Sequence, residues 1–142
     1  MLTAAEIAAL VPHAGAMCLL GGVRDWNATS IRCTATSQAD PGHPLRRDGM
    51  LPVLCGLEYA LQAMALHGAL AGGGKPQRAG YLSSLRGVTL GTDRLDHLPL
   101  LVIEAEALTM ESRGFIYRFR LGAEAEAPVL SGQAAIILPE PA

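Results

Sequence analysis

The sequence predicts an α+β fold in which an antiparallel sheet wraps around one long apolar helix. Three observations predict it: a helical stretch of about 19 residues begins at Pro52, two extended segments precede it, and four extended segments follow it. The chain has 142 residues, of which 50% are hydrophobic and 17% charged. A chain of this length buries a sizeable core without disulfides or a structural metal, so we expect a single domain over residues 1–142.

The elements before the long helix are short. Thr3 and Glu6 have the spacing of a capping box, which predicts a helix of about one to two turns that ends at Pro12. Residues 17–23 and 30–37 favour extended structure, and turn-forming residues separate them. These two segments therefore predict a β-hairpin.

A long loop, the helix and four strands complete the pattern. The loop over residues 38–51 is rich in Pro, Gly, Asp and Arg, and loops of this length often carry function. Pro52 stands where the first helical residue belongs, and the glycines at 72–74 end the helix. Because this helix is apolar almost all the way round, other elements must cover most of it. The predicted strands that cover it are residues 80–90, 98–110, 115–122 and 129–138.

The charge and cysteine patterns exclude several classes of protein. The 11 Lys and Arg residues against 13 Asp and Glu residues give a net charge of −2 without a basic block, which argues against a nucleic-acid partner. Three widely spaced cysteines without a C-x-x-C pair argue against a disulfide framework and a zinc site. The N-terminus lacks a signal-peptide pattern, and Glu58, Gln62 and His67 interrupt the most apolar stretch, so no membrane span is expected. We therefore predict a cytoplasmic protein.

Polar residues on the long helix are the first candidates for chemistry. Glu58 and Gln62 are four residues apart and share one helical face in otherwise apolar surroundings. An acid in such a place is paired, protonated or directed into a cleft. Glu58 also lies near the positive end of the helix dipole and near backbone donors around Cys55 and Gly56, where a carbonyl group is readily polarised. The structural alternative is that an arginine or a backbone donor pairs with Glu58.

Four histidines are candidates for a general base. His13 precedes the first extended segment and His43 lies in the long loop, so these two are the stronger candidates. The position of His67 near the end of the helix favours an interaction with the helix dipole, and His97 is typical of a solvated turn. None of the four has the spacing of a metal site, and no metal is predicted.

Three segments together resemble one family. Residues 12–20 read PHAGAMCLL, residues 43–49 read HPLRRDG, and residues 51–65 read LPVLCGLEYALQAMA. These segments resemble the hot-dog-fold 3-hydroxyacyl-acyl-carrier-protein dehydratases, and most closely the branch encoded with aryl polyene pathways. The order of elements is similar to that fold over essentially the whole chain.

The resemblance implies a reaction and its central residues. The reaction is elimination of water from a 3-hydroxyacyl thioester that is carried on the phosphopantetheine of an acyl carrier protein, and it requires no further cofactor. Glu58 matches the family's helix carboxylate, which positions or protonates the departing hydroxyl. A neutral histidine removes the α-proton. His13, in the P-H segment of this branch, is preferred over His43, whose loop corresponds to the one that holds the histidine in the fatty-acid enzymes.

Further site residues are implied around these groups. Amides near Cys55 and Gly56 would stabilise the enolate-like oxygen, and Gln62 would orient the helix carboxylate or a water. Arg46 and Arg47 would attract the phosphate of the phosphopantetheine arm, with solvated loop charges as the alternative interpretation.

The resemblance also implies an assembly, and it leaves two other functions open. The family suggests a homodimer with the active site at the subunit boundary. One alternative function is an acyl thioesterase, in which the helix carboxylate activates water without a partner histidine. The other is a non-catalytic subunit that binds a carrier protein or completes a heterodimer with an active paralogue.

Overall fold

Six strands form one antiparallel sheet that packs on a long helix. The structure, a computed structural model, describes residues 2–11, 15–74 and 80–139. Its helices and 3-10 turns are α1 (Ala4–Ala8), α2 (Gly56–Ala71) and the short turns Gly15–Met17, Ser37–Ala39 and Val53–Cys55. Its strands are β1 (Gly22–Trp26), β2 (Ser30–Ala35), β3 (Tyr81–Leu90), β4 (Leu101–Glu111), β5 (Gly114–Gly122) and β6 (Leu130–Ile137). The predicted fold class is confirmed.

The strand order β1-β2-β4-β5-β6-β3 places α2 against the centre of the sheet. All neighbouring strands are antiparallel, and α2 packs on β2, β4 and β5. Ile103 and Ala105 of β4 are buried, whereas Glu106 is exposed and Glu104 is partly exposed. This alternation gives the sheet one apolar face and one charged face. The apolar face meets the helix and forms the core.

The first helix begins as predicted and ends earlier. The Thr3 hydroxyl accepts the Glu6 N–H at 3.3 Å, and the Glu6 carboxylate accepts the Thr3 N–H at 3.1 Å, so the capping box is present. The α-helical residues end at Ala8, and Pro12, the predicted end, lies outside the described residues.

A neighbouring loop and a glycine determine where α2 begins. The helix predicted from Pro52 opens as a 3-10 turn, and its α-helical part starts at Gly56. The Val53 N–H donates to Asp93 O at 3.0 Å, which ties this turn to the loop before β4. A Cβ atom at Gly56 would lie 2.8 Å from Leu130 Cδ2. The missing side chain therefore lets the start of the helix lie directly on β6.

The far end of α2 is tied to the sheet by a buried histidine. His67 Nε2 donates to Asn27 O at 2.9 Å, so its Nδ1 accepts the Tyr117 hydroxyl hydrogen at 2.6 Å. Burial lowers the pKa of His67, and the bond to Asn27 opposes this shift only in part. The interaction expected with the helix dipole is therefore replaced by two specific hydrogen bonds to a neutral ring.

One described helix is long and apolar enough to cross a membrane. Val53–Ala71 passes this test by length and composition, although polar side chains interrupt it. Of its most apolar window, 56% is buried inside the fold. The apolar character of this helix is therefore that of the core helix of a soluble domain.

Candidate active site

The loop between β2 and α2 carries a rigid tip. Arg47 and Met50 exchange backbone hydrogen bonds of 2.8 and 2.9 Å across a tight turn. The two central residues, Asp48 and Gly49, have φ angles of 51° and 76°. Positive φ at both positions defines a type I′ turn, for which Asp-Gly is a favoured pair. The tip therefore has a fixed shape beside the start of α2.

Arg46 holds this loop together from the inside. Its Nη1 donates to Gly49 O at 2.9 Å and its Nη2 to Gln38 O at 3.1 Å. Gln38 is fully buried and donates through Nε2 to Leu98 O at 2.9 Å. Of the two arginines predicted to attract a phosphate, the structure therefore places Arg47 at the surface and directs Arg46 into the loop.

His43 lies in this loop and reaches the helix. It is 5% exposed, its Nε2 lies 3.0 Å from Tyr59 Oη, and its Nδ1 accepts the Leu45 N–H at 3.1 Å. Burial lowers the pKa of His43, the positive charge of Arg46 lowers it further, and Asp40 opposes both effects. The ring is therefore neutral near pH 7.

Tyr59 extends the contact from His43 to the first strands. The Ser37 hydroxyl donates to Leu19 O at 2.7 Å and lies 2.8 Å from Tyr59 Oη. Burial raises the pKa of Tyr59 to about 12, and the bond to Ser37 opposes this shift. The fully buried phenol is therefore protonated at neutral pH.

Gln62 contacts the main chain that follows His13. Its Oε1 accepts the Leu19 N–H at 2.9 Å, and its Nε2 donates to Met17 O. Gln62 is fully buried, and its carboxamide is directed at this segment rather than at the helix carboxylate. His13 itself lies outside the described residues. Gln62 therefore holds the main chain at Met17 and Leu19, whereas the resemblance implied that it orients the helix carboxylate or a water.

Glu58 occupies the first turn of α2 and is half-buried. Within the described ranges, no hydrogen bond or ion pair reaches its carboxylate, so the arginine partner considered as an alternative is not found there. Burial raises the pKa of Cys55, the charge of Glu58 raises it further, and the charge of Arg47 lowers it. The charges of Glu58 and Arg47 therefore both reach the Cys55 thiol.

The amides predicted to bind an oxyanion already have acceptors. The Cys55 N–H donates to Pro52 O at 3.0 Å, and the Gly56 N–H is directed at the carbonyl oxygens of Val53 and Leu54. These bonds close the 3-10 turn in which the helix starts. Stabilisation of an enolate by these two amides therefore requires a shared hydrogen bond.

The described residues hold no group of three or more His, Cys, Asp and Glu side chains placed to bind a metal ion. The structure instead joins a neutral histidine of the loop to a buried phenol of the helix, which is the sequence neighbour of the unpaired carboxylate Glu58. Sequence analysis missed Tyr59 and Ser37. The available signal was a tyrosine beside the candidate acid, because a buried tyrosine hydroxyl needs a polar partner.

The six-stranded antiparallel sheet packed on one long central helix defines a hot-dog fold. The model of the ApeP-like family, described as ApeP dehydratase, matches residues 5–142. The chain therefore belongs to the ApeP-like dehydratase family, and the predicted dehydratase function is confirmed at this level. No curated protein matches the sequence.

Solved structures share the fold at low sequence identity. The dehydratase heterocomplex ApeI:P from Xenorhabdus doucetiae aligns with a TM-score of 0.80 and 18% identity, over 99% of this chain and 93% of that chain. A hypothetical thioesterase with coenzyme A from Streptococcus pneumoniae TIGR4 aligns with a TM-score of 0.59 and 11% identity, over 82% and 84%. The E. coli PaaI protein from the phenylacetic acid degradation operon aligns with a TM-score of 0.58 and 13% identity, over 82% of this chain and 81% of that chain. These alignments confirm the hot-dog fold.

Proposed function

We propose that this dehydratase acts on a 3-hydroxyacyl thioester carried by an acyl carrier protein and produces the 2-enoyl thioester. The observation that carries the proposal is Glu58, a half-buried carboxylate without a partner among the described residues, in the first turn of the central helix. A carboxyl group without a partner is free to form a hydrogen bond with a substrate hydroxyl.

The elimination divides between an acid and a base. A neutral histidine nitrogen takes the α-proton, the electron pair of that C–H bond forms the double bond, and the β-carbon–oxygen bond breaks. Glu58, acting in its carboxylic-acid form, hydrogen-bonds to the departing hydroxyl and gives it the proton with which it leaves as water. A proton then returns from the histidine to Glu58 before the next turnover. His13 is the first candidate for the base, and His43 is the second.

The carrier protein would deliver the substrate on its phosphopantetheine arm, and no other cofactor takes part in the proposed reaction. Arg47 supports this proposal because it is exposed at the loop tip while its charge acts on Cys55, next to the start of the helix. An arginine in this place attracts a phosphate through both charge and hydrogen bonds. Arg46 contributes by shaping the loop.

A second hot-dog subunit would complete the assembly along β3. This strand is an edge of the sheet, it is ten residues long, and all of its residues except Leu85 are exposed. Its exposed large hydrophobic residues are Tyr81, Leu82, Val88 and Leu90. A long apolar edge is a template for pairing with another strand. A paralogous subunit is the preferred partner because the similar Xenorhabdus structure is a heterocomplex, and a second copy of this chain is the alternative.

Mass spectrometry of a 3-hydroxyacyl carrier protein tests the activity. Wild type, alone or with its paralogue, should remove the mass of one water, and Glu58→Gln should abolish this loss. His13→Ala should also abolish it if His13 is the base, whereas His97→Ala is the control because His97 is exposed in a turn. Release of a free acid would instead make the chain a thioesterase. Dehydration that requires the paralogue and is unaffected by Glu58→Gln would make this chain a non-catalytic subunit.

Light scattering after size-exclusion chromatography tests whether the edge strand β3 forms the interface with the second subunit. Val88→Lys combined with Leu90→Lys should prevent association with the second subunit, because lysine on an edge strand opposes pairing. Ala28→Lys, in the exposed turn at the opposite edge of the sheet, should leave the assembly unchanged. Association that survives both lysines on β3 would exclude this edge as the interface.

A further inference from the structure

A chain of hydrogen bonds runs from the loop through the helix to the first strands. It consists of His43, Tyr59 and Ser37, and it ends at Leu19 O. We refer to it as the His43–Tyr59–Ser37 chain. The link from Nε2 of the histidine to the phenol is 3.0 Å long, the next is 2.8 Å, and the last is 2.7 Å.

The direction of every link follows from its ends. Leu19 O is a carbonyl oxygen and only accepts, so the Ser37 hydroxyl donates to it. The Ser37 oxygen then accepts the Tyr59 hydroxyl hydrogen, and Tyr59 Oη accepts a hydrogen from His43 Nε2. The Leu45 N–H points at the other ring nitrogen, Nδ1, which must therefore carry a lone pair. His43 is thus the neutral tautomer with its hydrogen on Nε2.

This arrangement leaves His43 without a nitrogen that can accept a substrate proton. One ring nitrogen carries a hydrogen that is donated to Tyr59, and the lone pair of the other is occupied by a backbone amide. The ring is 5% exposed, and the charged groups that act on it are Arg46 and Asp40, both from its own loop. From the helix it meets the neutral phenol.

The same helix face holds Leu19 from two sides. Tyr59 and Gln62 are three residues apart on α2, so their side chains lie on neighbouring positions of one face. Gln62 accepts a hydrogen bond from the Leu19 N–H, and Ser37, at the end of the His43–Tyr59–Ser37 chain, donates one to the Leu19 carbonyl oxygen. The backbone N–H of Leu19 is therefore bound directly to the helix that carries Glu58, and its carbonyl oxygen is linked to the same helix through Ser37.

We propose that Tyr59 is a positioning residue, which fixes His43 as a hydrogen-bond donor and ties the loop and the Leu19 segment to the helix that carries Glu58. His43 then shapes the site and does not act as the base. This inference rests on the proposed dehydration only for its kinetic consequence, because the hydrogen-bond arrangement itself is measurable without substrate.

Nitrogen NMR of the imidazole rings tests the arrangement directly. In the wild-type protein at neutral pH, the His43 spectrum should show one protonated nitrogen, Nε2, and one unprotonated nitrogen, Nδ1. Tyr59→Phe removes the acceptor of the Nε2 hydrogen, so the spectrum of His43 should change. Tyr117→Phe is the matched control, because it breaks the equivalent His67–Tyr117 bond at the other end of the helix. A His43 ring that is protonated on Nδ1 or on both nitrogens in wild type would overturn the proposal.

Kinetics on the carrier-bound substrate test the consequence for the site. Tyr59→Phe should lower kcat by about 10- to 100-fold with little change in KM, as a small displacement of reacting groups does. Tyr117→Phe should leave kcat close to the wild-type value. His43→Gln should lower kcat while the acid limb of the pH–rate profile remains, because a different residue is the base. Loss of that limb only in His43→Gln, or equal effects of the two tyrosine variants on kcat, would overturn the proposal.

The two tests separate this inference from the proposed function. A wild-type protein that does not dehydrate the substrate refutes the proposed function, whereas the NMR measurement still decides how His43 is held. Dehydration together with the wrong His43 tautomer refutes the inference alone.

Discussion

Mild acid should destabilise this protein through two buried neutral histidines. His67 is fully buried and His43 is 5% exposed, and both rings have each nitrogen engaged in a hydrogen bond. The pKa of each lies below the usual value of 6.5, mainly because burial disfavours the charged ring. Protonation of either ring would place a donor hydrogen against a group that already donates to it.

The sign and size of the effect follow from proton linkage. Because the pKa is lower in the folded state, the unfolded chain binds more protons below pH 6.5, and acid favours unfolding. The stabilisation that the neutral histidines give the folded state is fully present above pH 6.5 and is lost as the pH falls toward their folded-state pKa. When the pH falls from 7.5 to 5.5, a histidine that stays neutral in the folded state lowers the free energy of unfolding by at most about 1.4 kcal/mol. The two histidines together therefore lower it by at most about 2.8 kcal/mol.

Urea unfolding at the two pH values, followed by circular dichroism, measures this loss. This pH range lies above the titration of ordinary carboxyl groups. His67→Gln removes one titrating group and should halve the pH-dependent loss, although it also lowers stability at pH 7.5 because Tyr117 loses its acceptor. His97→Gln is the matched histidine substitution at an exposed turn position. An unchanged pH-dependent loss in His67→Gln would refute the reasoning.

Three further substitutions test the framework of the site by urea unfolding. Gly56→Val should cost about 1–3 kcal/mol, because the added Cβ would lie 2.8 Å from Leu130 Cδ2, and an unchanged midpoint would contradict the close packing of the helix start. Asp96→Ala should cost about 1–3 kcal/mol by removing the acceptor of the Leu51 N–H at 2.9 Å, and Asp96→Asn should retain part of that stability. Gly49→Ala should cost about 1 kcal/mol through backbone strain alone, because φ is 76° and no atom lies within 4 Å of the added Cβ; a stabilised variant would contradict the turn assignment.

Local chemistry made the framework predictable from sequence. The Thr3 and Glu6 capping box, the glycines that end α2 and the alternating strands each depend on residues close together in the chain. Glu58 was found for a similar reason, because a carboxyl group in an apolar helix needs a specific explanation. Patterns of this kind require no knowledge of distant contacts.

The connections between site residues were not predictable, because they join distant parts of the chain. Tyr59 lies 22 residues from Ser37, and Gln62 lies 43 residues from Leu19. Arg46 and Arg47 are adjacent and chemically identical, yet one side chain fills the loop and the other meets solvent. Which arginine turns inward depends on carbonyl groups that become available only when the loop has folded.

The polar side chains of α2 differ in whether the fold supplies them with hydrogen-bond partners. Four side chains on this helix carry polar groups: Glu58, Tyr59, Gln62 and His67. Hydrogen bonds engage both ring nitrogens of His67, both amide atoms of Gln62 and the donor and acceptor sides of the Tyr59 hydroxyl. These partners satisfy the polar groups of all three side chains inside the fold, so none of the three is free to bind a substrate. Within the described part of the chain, Glu58 remains half-buried and unpartnered, and in the proposed reaction the substrate hydroxyl is its partner.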